Sequence, residues 1–154
     1  MNVSSEAIPD GSRIELTHVE PGCGGQNVSP DLAWSEAPEG TRSYAVTCFD
    51  PDAPTGSGWW HWIAFDIPGY LNALDADQGQ TTAFRQWPND YGYVGYGGPC
   101  PPPGPAHRYV FTVHALDVEK LDVPDDATSA ECRATLLAHT LDSASLTGMF
   151  GRSR

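Results

Sequence analysis

Residues 59–67 read WWHWIAFDI, and this run decides the fold class. Its aromatic and β-branched side chains suit a pleated strand, and period-two alternation puts Trp59, His61, Ile63, Phe65 and Ile67 on one face. Working outward, residues 43–49 (SYAVTCF) form a second β-rich run that ends at an Asp-Pro turn. Residues 108–116 (RYVFTVHAL) form a third, with Tyr109, Phe111, Val113 and Ala115 on one face. Starting that strand one residue earlier adds His107 to the same face. Shorter strands are expected at 14–19 and 32–34. The 16 glycines and 14 prolines fit a β-rich fold with many turns.

One helix is expected, near the C-terminus. Thr128 and Glu131 have the spacing of a capping box, and Ala134, Leu137 and Leu141 then fall on one apolar stripe, predicting a helix over 129–142. Residues 72–90 are polar and poorly periodic, which predicts a long surface loop. No repeat, low-complexity tract or linker divides residues 1–154, so a single domain is expected.

The chain has a formal net charge of −12, from 8 Lys and Arg against 20 Asp and Glu. A field of that sign repels nucleic acid and acidic membrane surfaces, and any bound anion must be held by local donors. The first residues show no basic and apolar leader pattern, and no apolar stretch is long enough to span a bilayer. Four widely spaced cysteines (Cys23, Cys48, Cys100 and Cys132) form no Cys-x-x-Cys pair. A cytoplasmic protein with reduced thiols is therefore expected, with no cofactor and no zinc–cysteine centre.

Two segments carry candidate chemistry. In DPDAP (50–54), two prolines make a rigid elbow that holds Asp50 at a strand end, just before the strand bearing His61 and Trp62. In GGPCPPPGPAHRY (97–109), a proline-rich wall containing Pro101 feeds into the strand of His107 and Tyr109. A carboxylate, two imidazoles and a phenol at strand ends suit a small polar or anionic group. Taken singly, these residues have ordinary readings. A histidine on an apolar strand face is commonly core, Asp52 beside a proline is commonly a turn residue, and Trp59, Trp60 and Trp62 read as core bulk.

Together the motifs resemble the phosphatidylethanolamine-binding protein family, in particular its bacterial Raf-kinase-inhibitor-like branch. The resemblance rests on DPDAP (50–54), His61-Trp62, YGGPCPPPG (96–104) and HRYVF (107–111). GGQNVSP (24–30), NDYG (89–92) and LTGMFGR (146–152) add to it, so it covers nearly the whole chain. It implies a mainly β fold, with a large central antiparallel sheet, a smaller sheet packed on it and a C-terminal helix. It also implies a pocket for phosphate or phosphorylethanolamine, lined by Asp50, His61, Pro101, His107 and Tyr109 and shaped by Asp52, Pro54 and Trp62. A cis peptide at Ala53–Pro54 and a homodimer are further implications. Residues 71–87 depart from the family pattern and are expected to border the pocket.

The leading functional expectation is a binding protein for a small anion, with a regulatory role. The alternative is an enzyme in which Asp50 pairs with His61 or His107 for acid–base chemistry and Tyr109 stabilises an oxyanion, in cyclisation, isomerisation or hydrolysis. A surface that binds a kinase or protease as an inhibitor is a third reading. Asp50, His61 and His107 also have the ligand types of a zinc site, although no spacing demands one.

Overall fold

The structure, a computed structural model, describes residues 1–153. Among these residues eight strands and one α-helix follow one another: β1 (Asn2–Ser4), β2 (Leu32–Ser35), β3 (Ser43–Asp50), β4 (Trp59–Pro68), β5 (Ala73–Leu74), β6 (Arg85–Gln86), β7 (His107–Leu116), α1 (Ser129–Ala138) and β8 (Thr140–Phe150). They form two antiparallel sheets, one of five strands in the order β6-β4-β3-β7-β8 and one of three in the order β1-β2-β5.

β3 lies at the centre of the large sheet and is covered on both faces, which is why its sequence carries β-formers at successive positions. On one face, Tyr44, Val46 and Cys48 join Tyr109, Phe111, Val113 and Ala115 of β7 and pack against Leu32, Trp34 and Leu74 of the small sheet. On the other, Ala45 joins Ile63, Phe65 and Leu116 beneath Cys132 and Leu136 of α1, with Trp87, Leu121 and Val123 completing the layer. The candidate site opens at one end of the large sheet, on the small-sheet side.

The simple alternation expected of β4 is broken twice. Trp60 pairs with Phe49 and Trp62 with Cys48, so His61 is an extra residue in the ladder. Further along, Ala64 pairs with Val46 and Ile67 with Tyr44, so two residues of β4 span the single Ala45; the second of the two, Asp66, has φ 60°. Ile63 and Phe65 therefore face α1, whereas Ile67 faces the opposite core. The five residues predicted to share one face are divided between both. The first bulge turns His61 to the same side as Trp62.

The capping box at α1 forms as predicted, with the Glu131 amide donating to Thr128 Oγ1 at 3.1 Å. The helix stops at Ala138, short of the predicted boundary. His139 closes the last turn through its amide and holds Asp117 through Nδ1 at 2.7 Å, and Thr140 is already paired with Leu116 in β8. Pairing with the long β7 outcompetes one further helical turn, residues 139–142, which includes the weak helix formers Thr140 and Asp142. The buried stripe is Cys132 and Leu136; Leu137 and Leu141, assigned to it from the sequence, are 62% and 45% exposed. Ser129 Oγ donates to the Pro88 carbonyl at 2.8 Å and the Arg133 guanidinium stacks on Trp60 at 4.5 Å, fixing that rotation.

Two other expectations change. Residues 14–19 contain a 3-10 turn at Leu16–His18 rather than a strand, although the Ile14 amide does bond the Met149 carbonyl. Residues 72–90 are not a plain surface loop: they supply β5 and β6 and bury Leu74, Phe84 and Trp87. Large apolar side chains at irregular spacing pin that segment without leaving a period to read.

Candidate functional site

Asp50 ends β3 and is 2% exposed. Its Oδ1 accepts the Asp52 amide at 2.7 Å, closing a turn over Pro51, and its Oδ2 accepts Nδ1 of His107 at 2.7 Å. The elbow continues with the Thr55 amide donating to the Ala53 carbonyl at 2.8 Å across Pro54. Proline's fixed φ suits that three-residue turn, so the chain reverses without an unusual peptide. No cis peptide occurs among the described residues, which corrects the expectation at Ala53–Pro54.

Asp52 points away from the cavity. It accepts the Arg108 amide at 2.8 Å and that residue's guanidinium at 2.8 and 3.0 Å, clamping the elbow to the start of β7. These bonds to Arg108 hold the Asp52 carboxyl well below its ordinary range, at about 2.

The opposite wall is the proline-rich loop. His61 Nδ1 donates to the Gly97 carbonyl at 2.7 Å, and the Gly97 amide returns a bond to the His61 carbonyl at 2.8 Å. Asn27 Oδ1 accepts the Gly98 amide at 2.8 Å, and a Cβ on Gly98 would stand 2.1 Å from the His18 carbonyl oxygen, so only glycine passes there. Cys100 is joined to Cys23 by a disulfide spanning 77 residues, and Arg152 donates to the Pro101 carbonyl at 3.2 Å. The expectation of four reduced thiols fails for this pair; Cys48 and Cys132 remain free and buried. Two cysteines far apart in sequence give no spacing signal, so the pairing was unreadable. Such a bond persists where oxidants dominate, which sets this pair against the reducing compartment expected from the absence of a leader pattern.

Between the walls lies a cavity of about 360 Å³. Asp50, His61, Pro101, His107, Tyr109 and Pro54 all line it; Asp52 and Trp62 do not. Trp62 lies in the core, bonded through Nε1 to Gln86 at 2.7 Å and packed edge-on against Tyr96. Trp59, Tyr91 and Pro102 line the cavity without having been assigned to it. For Trp59 the signal was its position two residues before His61, and for Tyr91 it was the NDYG motif. No residue of 71–87 borders the cavity, so the divergence there does not bear on its lining.

The rings of Tyr109 and Tyr91 stand edge-on to His61, with centroids at 5.1 and 5.5 Å. Burial, then the Asp50 charge, pushes the Tyr109 phenol far above its ordinary pKa, so it remains a hydrogen-bond donor. Burial likewise pushes Tyr91 up, and its hydroxyl donates to the Gly98 carbonyl at 2.8 Å. Burial pushes His61 down, which favours its neutral form. The lining contains one carboxylate and neither Lys nor Arg, since Arg108 and Arg152 are engaged outside it. Among the described residues, no cluster of three or more His, Cys, Asp or Glu is placed to hold a metal ion, and no helix is long and apolar enough to cross a membrane.

The family model for phosphatidylethanolamine-binding protein matches residues 4–151. The UPF0098 protein YbhB of Escherichia coli is 45% identical over 97% of this chain and 99% of its own length. The crystal structure of E. coli YbcL, described as a new member of the mammalian PEBP family, superposes with a TM-score of 0.92 at 43% identity, covering 97% of each chain. A phosphatidylethanolamine-binding protein homologue from Chlamydia trachomatis gives a TM-score of 0.84 at 29% identity, covering 99% of this chain and 97% of that one.

Proposed function

This chain belongs to the phosphatidylethanolamine-binding protein family, and on that premise we propose that its cavity binds a small phosphate-bearing anion. The observation that carries this reading is the Asp50–His107 contact at 2.7 Å. It fixes Nδ1 as the donor to the carboxylate and leaves Nε2 for the cavity. Once protonated, that imidazole offers an N–H with its positive charge already balanced on the far side by Asp50. Tyr109 adds a phenol donor. Apolar surface from Trp59, Pro54, Pro101 and Pro102 suits whatever small organic group the anion carries.

The test is a two-dimensional NMR titration with inorganic phosphate and phosphorylethanolamine, reading histidine and backbone signals. Saturable shifts at His61, His107, Tyr109 and residues 50–54, lost in His107→Ala with the spectrum otherwise preserved, are the expected result. Unmoved signals at millimolar ligand would remove the reading.

The same contact favours a second reading, in which Asp50 orients His107 as a general acid–base group. Turnover of a candidate ester or phosphoester that disappears in Asp50→Asn would support it. Turnover that survives would take Asp50 out of the mechanism.

A further inference from the structure

The opposite face of the large sheet, where α1 packs, carries a second and smaller cleft of about 60 Å³. Its floor is Thr47 from β3, Trp60 from β4 and His114 from β7, and its roof is Arg133, Leu136 and Leu137 from α1. None of these six lines the cavity on the other side.

His114 is 7% exposed, and its ring is engaged at one nitrogen only. Nε2 lies 3.1 Å from Thr47 Oγ1, whereas Nδ1 is buried without a hydrogen-bond partner. A hydroxyl can give or take a proton, so either tautomer satisfies Nε2 and neither satisfies Nδ1. The other four histidines, His18, His61, His107 and His139, all bond through Nδ1. A buried polar atom at the wall of a cleft calls for a partner from within the cleft.

Arg133 is the second unengaged group. Arg42, Arg85 and Arg108 each meet a carboxylate, in a chain with 20 acidic against 8 basic residues. Arg133 meets none among the described residues. Its neighbours on the helix surface, Ser129, Ala130, Leu136 and Leu137, are all uncharged. Its guanidinium stands 4.5 Å from the centre of the Trp60 ring. Stacking occupies the flat face of that group and leaves its in-plane N–H donors for another partner.

We propose that this cleft is a second binding site, for the carboxylate of a small aliphatic acid, held between the Arg133 guanidinium and Nδ1–H of His114. In that complex the Thr47 hydroxyl donates to Nε2, which leaves the ring hydrogen on Nδ1. A water-sized group takes about 30 Å³, so the cleft admits two, the size of the two oxygens of one carboxylate. Leu137, 62% exposed at the rim, gives an aliphatic tail apolar surface to lie on. Burial pushes the His114 pKa down to about 4, so its ring is neutral at pH 7. Arg133 is then the single charge lining the cleft, which matches a monocarboxylate, and no acidic side chain opposes it there. The site is independent of the anion-binding reading of the other face.

The test is an NMR titration of the isotope-labelled full chain at pH 7 with butyrate and, separately, with butyramide, its neutral analogue of similar shape. The expected result with butyrate is saturable movement of the His114 ring nitrogens, Thr47 and the Arg133 side chain at millimolar ligand. The ring shifts should report the hydrogen on Nδ1. Butyramide should bind at least about tenfold more weakly, the order of one charge-assisted hydrogen bond. Arg133→Gln should weaken butyrate binding by a similar factor with the rest of the spectrum preserved. Unmoved His114 and Arg133 signals at about 100 mM butyrate would overturn the proposal and leave Nδ1 to solvent. Equal affinities for acid and amide would overturn it too, as would undiminished butyrate binding in Arg133→Gln. Movement confined to His61, His107 and Tyr109 would place the acid on the other face and also overturn it. Should the variant fail to fold, the acid–amide comparison on the unmodified protein decides.

Discussion

Asp50 and His107, 57 residues apart in sequence, meet with Oδ2 and Nδ1 2.7 Å apart at the end of two adjacent antiparallel strands. They lie on one face, just past the last paired rung, Phe49 with Val110. Asp50 also closes its own turn through Oδ1, so one buried carboxylate serves the elbow and the site at once. Asp50→Ala strands two donors, the Asp52 amide and the His107 imidazole. It should lower stability by about 1–3 kcal/mol, read from urea unfolding. A loss below about 0.5 kcal/mol would mean that neither bond matters to the fold.

The clamp between Asp52 and Arg108 makes a pH prediction. Asp52 is held at about 2 in the folded protein, below its unfolded value of about 3.9. A depressed carboxylate adds stability above the unfolded value, and that contribution is lost as pH falls from about 4 through about 2. The melting temperature of Asp52→Asn should therefore lie below that of the parent at pH 5 and approach it near pH 2. A constant difference across that range would remove the clamp as the cause.

The disulfide can be counted chemically. Under denaturing, non-reducing conditions a thiol reagent should find two free cysteines, Cys48 and Cys132, and reduction should expose Cys23 and Cys100 as well. The bond closes a long loop, so Cys23→Ser with Cys100→Ser should cost roughly 2–5 kcal/mol on unfolding. Four reactive thiols without reductant would show the pair to be open.

The rotation of α1 is tested by two neighbouring leucines. Leu136, 1% exposed, sits against the large sheet, and Leu136→Ala should cost about 2–5 kcal/mol. Leu137, 62% exposed, faces outward, and Leu137→Ala should stay within about 0.5 kcal/mol. The reverse order would restore the stripe read from spacing alone.

The strands at 43–50, 59–68 and 107–116 were legible because β-formers run there for eight or more residues between turn signals. Thr128 and Glu131 marked the start of α1, but nothing local marked its end, because the strand beyond it depends on a partner distant in sequence. Spacing put His107 and Tyr109 on one face, and β7 keeps strict alternation through both. It could not place His61 relative to Ile63, because a bulge is a property of two paired strands and not of one. The elbow turns through trans peptides, with Asp50 Oδ1 holding the Asp52 amide, and a single sequence does not distinguish that from a cis proline.

The extra residue in β4 separates the scaffold from its use. Cys48 already pairs with Trp62 and Phe49 with Trp60, adjacent rungs on one strand but not on the other. A chain lacking residue 61 would meet those same partners in unbroken register, and the hairpin would close as an ordinary ladder. His61 is thus a surplus rung that the sheet does not need in order to exist. A substitution there acts on the cavity and on the Gly97 wall that the imidazole holds, while the neighbours on either side answer to the ladder.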